Sequence, residues 1–197
     1  GIASVRMAPT RAHAPFAAIP LLFSAQQASE GALWLVLEDA PWGKASSPIA
    51  QVFLFFALFL WPAYVPLSLA LPEPDRARRR VLFALALTGA SLGAYLMACS
   101  LFRPSYACIA YDNLYYAVAV DDALKPLAPF VYVTSIGLAL VVSSLRGTTL
   151  LAGVALASFA AAGVLFRVGF ASVWCFFAAT LSGVVAGIVW VSRARSA

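Results

Sequence analysis

Apolar residues in this chain fall in long unbroken runs, and the short stretches between them hold most of the charge. Six runs are legible: Phe16–Leu37, Pro48–Leu71, Val81–Phe102, Pro126–Leu145, Thr148–Phe166 and Phe170–Trp190. Each is close to the ~20 residues that, at ~1.5 Å per residue, cross a hydrocarbon core of ~30 Å. Strands of an outer-membrane barrel would alternate apolar and polar positions over short segments. The pattern therefore predicts an all-α fold, a polytopic transmembrane helical bundle of six spans, in which each helix satisfies its own backbone hydrogen bonds within lipid. A single domain over residues 1–197 is expected, with no soluble module.

Punctuation inside the runs adds detail. Pro20 sits in the first turn of its span, where proline is tolerated, whereas Pro62 and Pro66 should kink the second run. Gly89–Gly93 and Gly183–Gly187 are GxxxG pairs, which let helices approach closely, and Gly153, Ala157 and Ala161 form a smooth packing stripe. Pro72–Arg80 is read as the most charged loop. The longest connection, Arg103–Lys125, holds Tyr106, Tyr111, Tyr115 and Tyr116, and its middle is expected to form a short helix at interfacial depth.

Composition agrees with the pattern: 63% of residues are hydrophobic and 11% charged, with a mean hydropathy of +0.90. Soluble domains are about a quarter charged. The net charge of +5 does not signal nucleic acid, because the basic residues sort by side. Six spans place nine of them on one side, Arg6, Arg11, Arg76, Arg78, Arg79, Arg80, Arg146, Arg193 and Arg195. Lys44, Arg103, Lys125 and Arg167 fall on the other. The positive-inside rule then puts the Arg76–Arg80 loop and the C-terminus in the cytoplasm, with the protein multi-pass in the inner membrane. Arg6 and Arg11 ahead of an apolar run could mimic a signal peptide, but Phe23 spoils the small-residue cleavage site and the run continues too far.

The first run is unlike the others because it carries Gln26, Gln27, Glu30 and Trp34. Their spacings of three and four place these side chains on one helical face, continued by Pro20 and Phe23. Glu30 lies about eight residues from the span's outer end, hence ~12 Å deep. A carboxylate at such depth costs roughly 2.5–3.5 kcal/mol on insertion scales, so it needs a partner, a proton or a role. It can be held neutral, since burial raises a carboxyl pKa. It can pair with Arg167, the basic residue embedded between the last two spans, although Arg167 can equally snorkel to headgroups. Or it can line a wet cavity for a solute or ion. A structural hydrogen-bond cluster joining helices is the plainer alternative.

Much chemistry is excluded. His13 is the only histidine and lies outside the spans, so bis-histidine haem, three-histidine zinc and Ser–His intramembrane proteases lack their parts. Lys44 and Lys125 sit in connections, which argues against a retinal Schiff base. There is no P-loop and no GxGxxG after a strand. Asp112, Asn113, Asp121 and Asp122 lack EF-hand spacing. Cys99, Cys108 and Cys175 show no CxxC or metal spacing; buried thiols are expected for Cys99 and Cys175, and a disulfide at Cys108 stays open. No cofactor and no metal is signalled.

Three stretches, IPLLFSAQQASEGALWL, FLFFALFLWPAYVPLSLALPEPDRARRR and FRVGFASVWCFFAA, together resemble a family of bacterial multi-pass membrane proteins of unknown function, DUF6629. Members of that family begin with a short Met-Cys-Phe-Ser segment and a further hydrophobic helix. The resemblance thus implies seven spans in the whole protein, with Gly1–Ala8 as the last turns of the extra helix. It points to Gln26, Gln27, Glu30, Trp34, Trp174 and Cys175 without giving them roles.

These readings favour a non-enzymatic bundle that binds a partner, a lipid or a small hydrophobic molecule, as an accessory subunit of a larger assembly would. Membrane lipids and other membrane subunits are its expected partners, and nucleic acid is not. Gln26, Gln27, Glu30, Trp34, Arg167 and Trp174 are the candidate ligand or proton site. The alternative is a small proton-coupled transporter with Glu30 as the protonatable group. A membrane-embedded lipid enzyme would need a metal or a nucleophile–base pair that these spans do not provide.

Overall fold

The computed structural model describes residues 1–37, 48–110, 112–165 and 170–194. In chain order the helices are α1 (Ile2–Arg6), α2 (Ala14–Ala17), α3 (Ile19–Leu37), α4 (Pro48–Leu54), α5 (Trp61–Ala70), α6 (Arg76–Phe102), α7 (Leu127–Val142), α8 (Thr148–Leu165), α9 (Phe170–Thr180) and α10 (Ser182–Ala194), and strands β1 (Ser105–Ala110) and β2 (Asn113–Val118) fall between α6 and α7. Four stretches are long and apolar enough to cross a membrane: Pro48–Ala70, Arg76–Phe102, Thr148–Leu165 and Ser172–Ala194. The expectation of six spans is thus met only in part. The helix α3 is diluted by Ser24, Gln26, Gln27, Ser29 and Glu30, and α7 has only 16 residues.

Two prolines shape the second run. Pro62 has no N–H to donate and its ring crowds the carbonyl four residues back, which loosens the turn before it. Phe55–Leu60 relaxes into a π-helix that joins α4 to α5 without breaking the rod, as single π turns do inside α-helices. Pro66 likewise deprives the Pro62 carbonyl of its usual donor. That carbonyl turns toward α6 at Gly89, where an added Cβ would collide with it, and a Cβ on Gly93 would lie 2.7 Å from Phe59 Cα. The two glycines therefore seat the proline-bearing rod against α6. Gly183 and Gly187 behave differently, since a Cβ on either would meet nothing within 4 Å.

Arg76 to Arg80 belong to the first turns of α6 rather than to a loop. Asp75 caps that helix, its Oδ1 accepting from Arg78 N at 2.8 Å. Beside it, Glu73 is only 3% exposed. Its Oε2 accepts from Ser144 N at 2.8 Å and its Oε1 from Asp75 N at 3.4 Å. One carboxylate thereby ties the α5–α6 turn to the α7–α8 turn at the arginine-rich end.

At the opposite end the expected interfacial helix is replaced by an antiparallel hairpin, paired from Ser105 with Val118 to Ala110 with Asn113. Tyr, Ile, Leu and Val suit a half-buried pleated surface, and Asp112 takes the left-handed turn conformation at φ 56°, which Asp tolerates better than most residues. The fold is therefore mostly helical with a small sheet, not wholly α. Arg103 clasps the base of the hairpin with two bonds to Asp121, at 2.7 and 3.1 Å, and Tyr95 donates to the same carboxylate. Cys99, Cys108 and Cys175 are all buried free thiols, so the disulfide considered for Cys108 does not form.

Two apolar clusters hold the elements together. The larger gathers Phe16, Trp61, Leu69, Leu82, Leu151 and Val189 toward the arginine-rich end. The smaller gathers Leu33, Phe53, Ala107, Leu114 and Cys175 beneath the hairpin. Outside them, Leu35, Leu87, Phe130, Val164, Leu165 and Phe176 stand exposed, an exterior suited to hydrocarbon and not to water.

Candidate functional site

The polar face of α3 is fixed from two sides. Gln26 is completely buried. Its Oε1 accepts from Trp61 Nε1 at 2.6 Å, and its Nε2 donates to Cys175 Sγ at 3.0 Å. A buried amide without such partners would be costly, so this one side chain ties α3 to α5 and α9. Phe23, one turn earlier, stacks on the Trp61 ring with centroids 3.9 Å apart.

Glu30 lies one turn further along and is 5% exposed. The side chains of Ser172 and Gln27 lie beside it. Its Oε1 has no partner, and neither does Gln27 Oε1. Among the described residues no basic side chain pairs with it. Arg167 lies outside the described residues, so its expected pairing does as well. From the hairpin, Tyr116 stacks on Phe53 at 4.5 Å and buries a hydroxyl that has no partner. Burial, and then the neighbouring Glu30 and Cys175, push its phenol well above the ordinary range.

On the other side of Cys175 the walls become aromatic. Phe159 meets Phe170 and Trp174 edge-on, at 5.0 and 5.4 Å. Phe170 and Trp174 stand parallel, 6.4 Å apart, and Tyr132 abuts Trp174 at 5.9 Å. These four rings border a cavity of about 240 Å³ completed by Ala57, Leu58, Leu96, Ala128, Pro129 and Cys175. A smaller apolar void of about 70 Å³ runs along Trp174 toward Phe23 and Trp61. Tyr132 Oη and Trp174 Nε1 are buried without hydrogen-bond partners.

Of the residues singled out in the sequence, Gln26, Gln27 and Glu30 do cluster, and Trp174 joins them through Cys175. Trp34 is 37% exposed and lines none of the cavities described. Trp61, Tyr132, Tyr116 and Ser172 had no sequence signal, because each meets the site from a different element. Among the described residues there is no group of His, Cys, Asp or Glu able to hold a metal.

Fold and site together define a helical protein suited to a membrane, with a buried polar cluster set beside an aromatic cavity. The chain belongs to the DUF6629 family, a family of unknown function whose model matches residues 1–197. Comparison with curated proteins gives no match, and neither does comparison with solved structures.

Proposed function

We propose that this protein is a non-enzymatic binder of an apolar ligand, a lipid chain or small hydrophobic molecule, held inside the bundle. The observation that carries the reading is the 240 Å³ cavity built from Tyr132, Phe159, Phe170 and Trp174. Ligand sites are mostly apolar and aromatic, with a few polar groups to fix orientation. The surface this cavity exposes is wholly apolar, which suits a hydrocarbon chain. The protein takes the form of a single multi-pass domain of six spans, its arginine-rich end in the cytoplasm, and serves as an accessory subunit among other membrane proteins.

Organic extraction of the protein purified from its native membrane tests this. An apolar molecule should co-purify in stoichiometric amount, and Ala128→Leu, which fills the cavity from α7, should remove it. Protein that carries no such molecule, or an occupancy indifferent to Ala128→Leu, overturns the reading.

A second reading, a small proton-coupled transporter, is favoured by one observation, the unpartnered oxygen of buried Glu30. Carboxyl groups within the membrane mark proton and ion pathways. A proton flux in proteoliposomes that Glu30→Gln leaves unchanged excludes it.

A further inference from the structure

The aromatic cavity is the widest of three apolar spaces strung along one face of α7. Ala128 and Tyr132 line the cavity of about 240 Å³. Tyr132, Ile136 and Leu140 line a pinch of about 20 Å³, and Ile136 and Leu140 continue into the void of about 70 Å³. These residues recur every four positions, so they share a helical face, and at ~1.5 Å per residue the line they mark is ~18 Å long. The neighbouring helix α8 keeps the same order along its own face. Phe159 borders the cavity and the pinch, Ala155 the pinch and the void, and Leu151 the void. Among the described residues Trp174, from α9, alone borders all three spaces. The pinch of about 20 Å³ has room for one water-sized group and little more, and the indole stands beside it.

From this geometry we infer that the cavity holds a single unbranched hydrocarbon chain and that Trp174 sets how much of its length the protein takes in. The inference rests on the apolar-ligand reading of the same cavity, and adds the shape of the ligand and the residue that selects it. A narrow line of apolar spaces suits an extended chain, whereas a rigid fused-ring lipid is too broad for the pinch. The chain lies beside Tyr132 and Phe159, and its end stops against the indole. Each methylene inside the cavity gains dispersion contacts with the walls. A methylene in excess of the cavity's length stays among lipid or detergent chains and gains nothing. The void toward Phe23 and Trp61 lies beyond the stop, so a smaller side chain at Trp174 opens it to a longer chain.

The test is native mass spectrometry of the full chain released from micelles that hold an equimolar series of straight-chain primary alcohols, octanol to octadecanol, together with cholestanol. Normalised to micelle content, retention should rise with chain length, level off once the cavity is full, and leave cholestanol at background. Trp174→Leu joins the cavity to the void, so its plateau should shift to longer alcohols. Ala155→Leu fills the space beyond the indole. Added to Trp174→Leu it should return the plateau to the wild-type length, and alone it should leave the wild-type profile as it was. The single Ala155 variant decides the matter if Trp174→Leu does not fold. A plateau that Trp174→Leu does not move, or one that Ala155→Leu alone shortens, overturns the role of Trp174 while the apolar-ligand reading stands. Cholestanol retained as strongly as octadecanol overturns the chain assignment. A protein that retains none of the series overturns the apolar-ligand reading and this inference with it.

Discussion

Gln26 and Trp61 are joined by a 2.6 Å hydrogen bond between two side chains that are both buried. Because Gln26 also donates to Cys175, replacing it strands an indole N–H on α5 and leaves the thiol of α9 without its donor. Hydrogen bonds between membrane helices average only about 0.6 kcal/mol in double-mutant cycles. Leaving a buried donor unsatisfied costs more, about 1–3 kcal/mol. Gln26→Met, which keeps the volume, should therefore destabilise by about 1–3 kcal/mol. Trp61→Phe in the same background should recover part of the loss, since it removes the orphaned donor. Reversible SDS unfolding of the pair and its double mutant measures both.

The two GxxxG pairs should respond in opposite ways. A side chain at Gly89 meets the backbone carbonyl of Pro62, which has no flexible end to give way. Overpacking a tight contact costs about 1–3 kcal/mol, and Gly89→Ala should reach or exceed the upper end. Gly187→Ala meets nothing within 4 Å and should gain about 0.4–1 kcal/mol by restricting the unfolded chain. Unfolding midpoints of the two variants, compared side by side, decide whether the glycines differ as described.

The clasp at the base of the hairpin should weaken in acid. Arg103, and then Tyr95, hold the Asp121 carboxyl below its ordinary range. A carboxyl lowered in the folded state contributes above its unfolded pKa of about 3.9, and the contribution is lost as pH falls through the folded value. Asp121→Asn should loosen the hairpin at neutral pH and abolish this acid response. Maleimide labelling of Cys108, buried on β1, reports the first effect, and the near-ultraviolet tyrosine signal between neutral pH and pH ~3 reports the second.

Glu73 should behave as a fastener between turns. It accepts from the backbone of Ser144 at 2.8 Å, and hydrogen bonds to charged groups are worth about 1.5–3 kcal/mol. Glu73→Ala should accelerate hydrogen exchange at the Ser144 amide and lower the unfolding midpoint. Glu73→Gln should do so less, because an amide oxygen can still accept.

Run length alone made four membrane-length helices legible, and three-and-four spacing brought Gln26, Gln27 and Glu30 together on one face. What stayed hidden was the identity of their neighbours. Trp61 and Cys175 stand 35 and 149 residues from Gln26 in sequence, and helical periodicity says which face is polar without saying what it meets. The same gap applies to Trp34, which keeps the spacing of the stripe and is 37% exposed, while Leu33 and Leu37 beside it are buried. The hairpin was missed because its tyrosines are amphipathic and suit an interfacial helix as well as a strand. The Gly183–Gly187 motif marks a surface able to pack closely, yet a motif cannot supply the helix that would pack there.

The π-helix at Phe55–Leu60 has one further consequence, for screw phase. Upstream, Phe53 belongs to the cluster under the hairpin, and downstream Trp61 belongs to the other cluster. A single rod thus serves two cores whose azimuths are reconciled by its wider turn. An α-helical Phe55–Leu60 of unchanged length would advance further per residue and swing everything beyond it by about 100°. The indole of Trp61 would then point away from Gln26, so the width of this turn is as tightly constrained as any side chain in the site.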